Sequence, residues 1–439
     1  MRYALNLLYG LLLVAGLPWL LVAAVRKGKY RTGWGAKFLG LVPRRTSARP
    51  CIWLHAVSLG EVSQIAPLVA EISARHPQWE IAISTTTRTG YELACKRYDR
   101  HTVFYCPLDF SWAVRTAVRR IRPAMLVLVE LELWPNLISA AQAAGAKVAV
   151  VNGRLSDRSF RGYRRVRPVV RWILRRLDLI AVQNERYAER FRALGVGEQT
   201  LHVTGSLKFD GAQTDRDNPQ TTHLRGVAGF APSDVVFLAG STQEPEERLA
   251  LDTYRQLAAD HPNLRLVLVP RHPERFDAVA AMLDGSGLPW QRRTALDQQP
   301  ANPAARILLV DRVGELAAWW GIARVAYVGG SMGSRQGQNM IEPAAYGAAV
   351  SFGPKTRNFR DVVEALLLAD GASVVHDGDQ LTAFVRRCLE DPAFAEGLGQ
   401  NAQRVVRSQL GATARTVDLL DELLSHRHDD SAANRRTAA

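Results

Sequence analysis

The stretch 326–361, AYVGGSMGSRQGQNMIEPAAYGAAVSFGPKTRNFRD, decides how this chain is read. Just before and into it, Val325 to Val328 is an uninterrupted apolar run, which predicts a buried strand. The run breaks into Gly329, Gly330 and Gly333, a loop of small residues whose backbone N–H groups are open to a ligand. Asn339 stands before a helix-like run from Met340 to Tyr346, with Pro343 early in it and Gly347 ending it. Ala349 to Phe352 then reads as another strand. Strand, glycine loop, helix and strand make half of a doubly wound nucleotide fold. The loop amides and the helix N-terminus are expected to hold a phosphate, and Glu342 to accept hydrogen bonds from a ribose.

The same loop satisfies a second pattern. Gly329-Gly-Ser331-Met-Gly333 matches the G-x-S-x-G nucleophile elbow of hydrolases. That chemistry needs an acid and a histidine downstream, and His376 follows too closely to leave room for the usual strand–helix units. Neither G-x-x-x-x-G-K-[ST] nor G-x-G-x-x-G occurs, which excludes a P-loop and a dinucleotide fingerprint.

With 439 residues the chain has room for two domains and an anchor, and its 47% hydrophobic content is enough for full cores. Cys51, Cys95, Cys106 and Cys388 show neither pairing nor metal-ligand spacing, so buried reduced thiols and no metal are expected. The net charge of +14 points to an anionic partner, either nucleic acid or a membrane surface. No nucleic-acid module signature is present. The charge is concentrated instead. Arg26, Lys27, Lys29 and Arg31 follow an apolar run, and the segment from Arg154 to Arg176 carries nine arginines against one acid, Asp157. Within that segment Val169, Val170, Ile173, Leu174 and Leu177 form a helical stripe, which suits either a membrane surface or an ordinary domain helix with a solvated arginine face.

Taken in order, Ala4 to Val25 contains no charge and one strongly polar residue, Asn6. As a helix its 22 residues span roughly 33 Å, enough for a bilayer core, and the basic block after it keeps the rest of the chain cytoplasmic. The expected organisation is a transmembrane anchor over 1–25, an α/β domain over 26–212, a second over 213–425 and a disordered tail over 426–439. Near-continuous apolar runs at Ile52–Val57, Ile81–Ser84, Met125–Val129, Val148–Val151 and Leu179–Val182 read as parallel strands of the first domain. Val235–Ala239, Leu264–Val269, Ile307–Val310, Val325–Val328, Ala349–Phe352 and Ser373–Val375 repeat the pattern, and the polar segment Asp210–Ser233 reads as the linker.

Polar clusters sit at the predicted strand ends, where two doubly wound halves would open a cleft. Ser58-Leu-Gly60-Glu61 follows the first strand. Glu61 can serve as a general base or simply as a helix N-terminal acid. Glu130-Leu-Glu132-Leu-Trp134-Pro135-Asn136 places two carboxylates after a buried run, and Lys208 lies in Gly205-Ser-Leu-Lys-Phe-Asp210. Arg271, in Pro270-Arg-His-Pro-Glu-Arg-Phe276, is placed to meet a phosphate, and Gly314, Glu315 and Leu316 follow Ile307–Val310.

These pieces together resemble the 3-deoxy-D-manno-octulosonic acid (Kdo) transferases, membrane-anchored glycosyltransferases with two Rossmann-like domains facing a cleft (the GT-B type). The matching segments are collinear: WLHAVSLGE at 53–61, STTTRTG at 84–90, VELELWPN at 129–136, NGRLSDRS at 152–159, GSLKFD at 205–210, AGSTQEPEE at 239–247, PRHPERF at 270–276, DRVGEL at 311–316 and the stretch 328–361. The resemblance implies Glu61 as the base on the acceptor hydroxyl, and Glu130 and Lys208 as residues that stabilise the transition state. It implies CMP binding by Pro270, Arg271, Gly314, Glu315, Leu316, Asn339, Met340, Ile341 and Glu342. It further implies a CMP-Kdo donor, a lipid A precursor as acceptor, the inner membrane as location, and no cofactor or metal. Gln243 and Gln338 depart from the family pattern, which has histidine at both places; glutamine keeps a donor and loses the titratable ring. A lipid-acceptor enzyme using a UDP-sugar, and a membrane-attached binding protein without catalysis, are the competing readings.

Overall fold

The computed structural model describes residues 3, 5–7, 9–11, 13–16 and 32–437, with side chains as far as Ser425. The chain forms two compact units, Met1–Gly211 with Leu410–Ala439, and Ala212–Gln409.

The first unit is built on seven parallel strands: β1 (Cys51–His55), β2 (Glu80–Thr85), β3 (Thr102–Tyr105), β4 (Met125–Val129), β5 (Lys147–Gly153), β6 (Leu179–Val182) and β7 (Leu201–Val203). Their order across the sheet is β3-β2-β1-β4-β5-β6-β7. Every residue of β1 and β4 is buried, because helices cover both faces of a parallel sheet. Trp53, Phe104, Leu126, Leu128 and Phe191 fill one face, and Ile52, Leu54, Ile83 and Val127 the other. The chain leaves β1 toward β2 and leaves β4 toward β5. The crevice at the carboxyl ends of β1 and β4 is therefore the topological switch point, where open α/β sheets bind ligands.

The second unit repeats the plan with β8 (Val235–Thr242), β9 (Leu264–Pro270), β10 (Trp290–Arg292), β11 (Ile307–Leu309), β12 (Val325–Val328), β13 (Ala349–Phe352) and β14 (Ala372–Val374). The order is β10-β11-β9-β8-β12-β13-β14, all parallel, and the switch point falls between β8 and β12. The expected strands are present. Those the sequence did not separate as strands, β3, β7 and β10, are only three or four residues long, and β10 has no buried residue. Such edge pieces carry too little apolar pattern to register as strands.

Three boundaries differ from expectation. The segment Asp210–Ser233 is no simple linker. Asn218 accepts from Thr221 N (3.0 Å) to cap a helix Pro219–Val227, and Arg216 donates to Tyr346 O, Gly321 O and Ala323 O, which fixes the segment to the second unit. The second domain ends at Gln409, not at 425. A helix Ala412–Thr437 returns to the first unit, where Ala412, Val417, Leu420 and Leu424 join the core face of Leu68 and Ile72. Arg75 donates to Asp418 (2.5 Å) and His76 Nε2 lies 2.7 Å from Asp421 Oδ1, while Asp210 accepts from Gly411 N (2.7 Å). An amphipathic stripe names a core face and not its owner, so the sequence could not assign this helix to a unit. The helix also continues through the segment expected to be a disordered tail, since no Gly or Pro follows Gly411 to break it.

Most of the expected anchor over 1–25 lies outside the described residues. Among the described residues no helix is long and apolar enough to cross a membrane. Asn6 exchanges bonds with Ser111 (2.8 and 3.0 Å), and Tyr9 OH donates to Asp109 (3.2 Å). Tyr3, Leu7, Leu11 and Val14, three or four residues apart, are 60–71% exposed.

The return of the C-terminal helix is testable. Leu420 is 1% exposed. Leu420→Ala should destabilise the first unit by about 2–5 kcal/mol in denaturant unfolding followed by a probe in that unit; a change within ±0.5 kcal/mol, about that of a neutral surface substitution, would mean the helix does not dock there.

Candidate active site

In the first unit the predicted residues gather at the switch point. Ser58, directly after β1, caps the helix Leu59–Gln64. Its Oγ accepts from Glu61 N (3.3 Å) and donates to Glu61 Oε1 (2.7 Å), while Val57 N donates to Oε2 (2.8 Å). This Ser-x-x-Glu arrangement is a capping box. It holds the Glu61 carboxylate in one orientation at the carboxyl end of β1. Glu61 is buried, and burial pushes its carboxyl above the ordinary value against the pull of the Ser58 and Val57 hydrogen bonds. A helix N-terminus favours the ionised form, and desolvation outweighs it.

Glu130 leaves the end of β4 with φ +60°, a left-handed conformation that non-glycine residues seldom adopt. Its N–H remains on Val151 O (2.9 Å), and Arg154 lies 3.9 Å from its carboxylate. Glu132 follows, pushed up to about 7, first by burial and next by the charge of Glu61. The turn after it is fixed by Asp109, which accepts from Asn136 N and Leu137 N (3.0 and 2.8 Å) at the start of the helix Pro135–Ala143. Lys208, half-buried, lies in a turn tied to the same place by a residue the sequence analysis gave no role. Asn152, at φ +54° in β5, donates to Gln64 Oε1 (3.0 Å) and accepts from Leu207 N (3.2 Å). It thereby links the Glu61 helix to the Lys208 turn. Its signal was legible, since asparagine is among the few residues that tolerate this conformation.

In the second unit Pro270 ends β9 and Arg271 follows, exposed, its N–H on Thr242 O (3.0 Å) and its Nε donating to Gln338 Oε1 (3.2 Å). Gln338 thus holds the guanidinium expected at the phosphate. Asn339 accepts from Ile341 N (3.1 Å) and donates to Glu342 Oε1 (3.0 Å). Burial pushes the Glu342 carboxyl up, partly offset by that bond. Met340 and Ile341 are buried. Gly314 has φ +97°, and the Leu316–Trp319 helix starts directly after Glu315. The Glu315 carboxylate is engaged by Arg293 through two bonds (2.9 and 3.0 Å) and by Trp319 Nε1 (3.1 Å), so its backbone is what remains for a ligand.

The glycine loop corrects the opening expectation. Its amides are occupied by the carboxylate of Glu246, which is 1% exposed. Gly330 N and Gln243 N donate to Oε2 (2.7 and 3.0 Å); Ser331 N, Met332 N and Tyr327 OH donate to Oε1 (2.9, 3.0 and 3.0 Å). A Cβ on Gly329 would fall 2.6 Å from Thr242 Cα and 2.7 Å from Ser241 O, backbone atoms that cannot give way, and 2.8 Å from Glu246 Oε2, which is why only glycine fits there. The helix after the loop, Ile341–Ala345, is a single short turn and not the phosphate-binding helix expected. Ser331 is fully buried, its Oγ donating to Val328 O and accepting from Gly353 N, so it is no exposed nucleophile. Among the described residues no cluster of His, Cys, Asp and Glu could hold a metal ion.

Two parallel-sheet α/β units, each with its polar residues at the switch point, make a fold of the GT-B glycosyltransferase kind. A glycosyltransferase from Rickettsia africae has it over 86% of this chain and 99% of its own, with a TM-score of 0.53 at 11% identity. The chain belongs to the 3-deoxy-D-manno-octulosonic acid transferase family and is a glycosyltransferase. Residues 31–211 match the family model for 3-deoxy-D-manno-octulosonic-acid transferase (kdotransferase). A 3-deoxy-D-manno-octulosonic acid transferase of Haemophilus influenzae is 32% identical over 85% of this chain and 87% of its own length. Another, from Bordetella pertussis, is 34% identical over the same shares.

If one of the raised carboxyls is the base, its shift fixes the pH dependence. A base must be ionised to take a proton, so activity falls as pH drops through its raised value. The acid limb of kcat/KM should therefore lie above the ordinary 4.5 and toward the value of about 7 reached by Glu132. A limb centred at or below 4.5 would show that neither buried carboxyl governs the reaction.

Proposed function

We propose that this chain is an inverting Kdo transferase that moves Kdo from CMP-Kdo to a lipid A precursor at the cytoplasmic face of the inner membrane. The observation that carries the reading is the Glu61 carboxylate, oriented by Ser58 and Val57 at the carboxyl end of β1. In this mechanism Glu61 takes the proton of the acceptor hydroxyl. The freed oxygen bonds to the anomeric carbon from the face opposite the leaving group. The bond from that carbon to the phosphate oxygen breaks, and CMP departs with the electron pair. Arg271 balances the charge on the departing phosphate, and Glu130 and Lys208 stabilise the transition state. Pro270, the backbone at Gly314, Glu315 and Leu316, and the turn Asn339–Glu342 hold the nucleotide. With a single phosphate leaving, one guanidinium is enough and the reaction needs no divalent ion.

Support for a phosphorylated lipid acceptor comes from the surface at the same strand ends. The helix Asp157–Arg165 follows β5 and leaves Arg158, Arg161, Arg164 and Arg165 exposed, with Val166 and Val169 about half exposed beyond them. Cationic and apolar residues side by side suit phosphates and acyl chains. The basic block Arg26–Arg31 after the apolar run supports a cytoplasmic side for both units.

Glu61→Gln keeps the shape and the capping geometry while removing the basic oxygen. Donor affinity should stay nearly unchanged while the transfer rate falls by about two to four orders of magnitude. Lost donor binding would give Glu61 a structural role, and near-normal turnover would pass the base to another group. Arg271→Ala should weaken CMP binding by roughly 1.5–3 kcal/mol in calorimetry; unchanged affinity would remove Arg271 from the site.

A further inference from the structure

Three successive amides, Gly330, Ser331 and Met332, converge on one carboxylate at the carboxyl end of β12. Converging backbone N–H groups of this kind form an anion-binding concavity, the device by which glycine loops hold phosphates. In this chain the anion is internal. Glu246, at the start of the helix Glu246–Leu257 after β8, places both carboxylate oxygens on those amides, and Gln243 N and Tyr327 OH complete a set of five donors. All five partners donate and both carboxylate oxygens accept. The neighbouring Glu247 makes two parallel bonds to Arg275 (3.0 and 3.1 Å) and so steadies the turn that carries Arg271. Gln338 ties the walls together: its side chain packs on Gly330 and its Oε1 accepts from Arg271. The filled concavity is thus adjacent to the guanidinium assigned to the donor phosphate.

A nucleoside diphosphate brings a second phosphate that would seek the free donors of such a loop. Here none is free, and the occupant is itself negative. We propose that Glu246 is the specificity-determining residue of the donor site: its carboxylate takes the place of a second phosphate, so the site accepts nucleoside monophosphates and turns away nucleoside diphosphates. This rests on the donor-site reading given under Proposed function.

The test is calorimetry of the full chain with CMP and with CDP, on the wild type, Glu246→Ala and Glu246→Gln. The wild type should bind CMP at least tenfold more tightly than CDP. Glu246→Ala opens the concavity, and the CMP-to-CDP preference should fall tenfold or more. Glu246→Gln keeps the volume and removes the charge, and should shift the preference the same way by a smaller factor. Equal or tighter CDP binding by the wild type would overturn the proposal, and this comparison decides even if the alanine variant fails to fold. An unchanged preference in either folded variant would overturn it as well, with the CMP-site reading left intact. Failure of the wild type to bind CMP at all would remove the donor-site reading and this proposal with it.

Discussion

A parallel sheet covered on both faces gives most of its strand positions to apolar side chains, and the few polar ones it buries must find partners there. Chemistry must be placed where strands end, and the crevice is widest where the strand order reverses. Both units obey this constraint. In the first, β1 and β4 are buried along their whole length and the carboxylates of Glu61, Glu130 and Glu132 appear only beyond their last residues. In the second, β8, β9 and β12 end at Thr242, Pro270 and Val328, and Gln243, Glu246, Arg271 and the glycine loop follow. The apolar cores thus decide where the reactive groups stand.

The same constraint explains the electrostatics. A carboxylate at the mouth of a covered sheet is partly desolvated, so Glu61 and Glu132 hold their protons more tightly than in water. Deeper in, Glu246 is tolerated because five donors surround it. Burial therefore meets two kinds of carboxylate: Glu61 and Glu132, whose carboxyls it pushes up, and Glu246, whose oxygens are fully engaged by donors.

The sequence made the fold legible because near-continuous Val, Ile and Leu runs, each ended by Gly or a polar turn, have few readings other than a doubly wound sheet. It also placed Glu61 and Arg271 at strand ends, where both are found. What it concealed was pairing between distant segments. Glu246 and the amides of 330–332 are more than eighty residues apart, so the glycine loop read as an open phosphate cradle when it was already filled. The stripe Val417, Leu420 and Leu424 reads as core-facing in either unit, and only packing against Leu68 and Ile72 assigns it to the first. Asn152 had a visible signal, an asparagine at the end of an apolar run, but its link from Gln64 to Leu207 exists only in the folded chain.

The most direct test of the central claim is mass spectrometry of a lipid A precursor incubated with the purified chain and CMP-Kdo. The account predicts a product heavier by one or more Kdo residues, formed with CMP released in equal number and with EDTA present. An acceptor of unchanged mass, or one extended only when a UDP-sugar replaces CMP-Kdo, would contradict it.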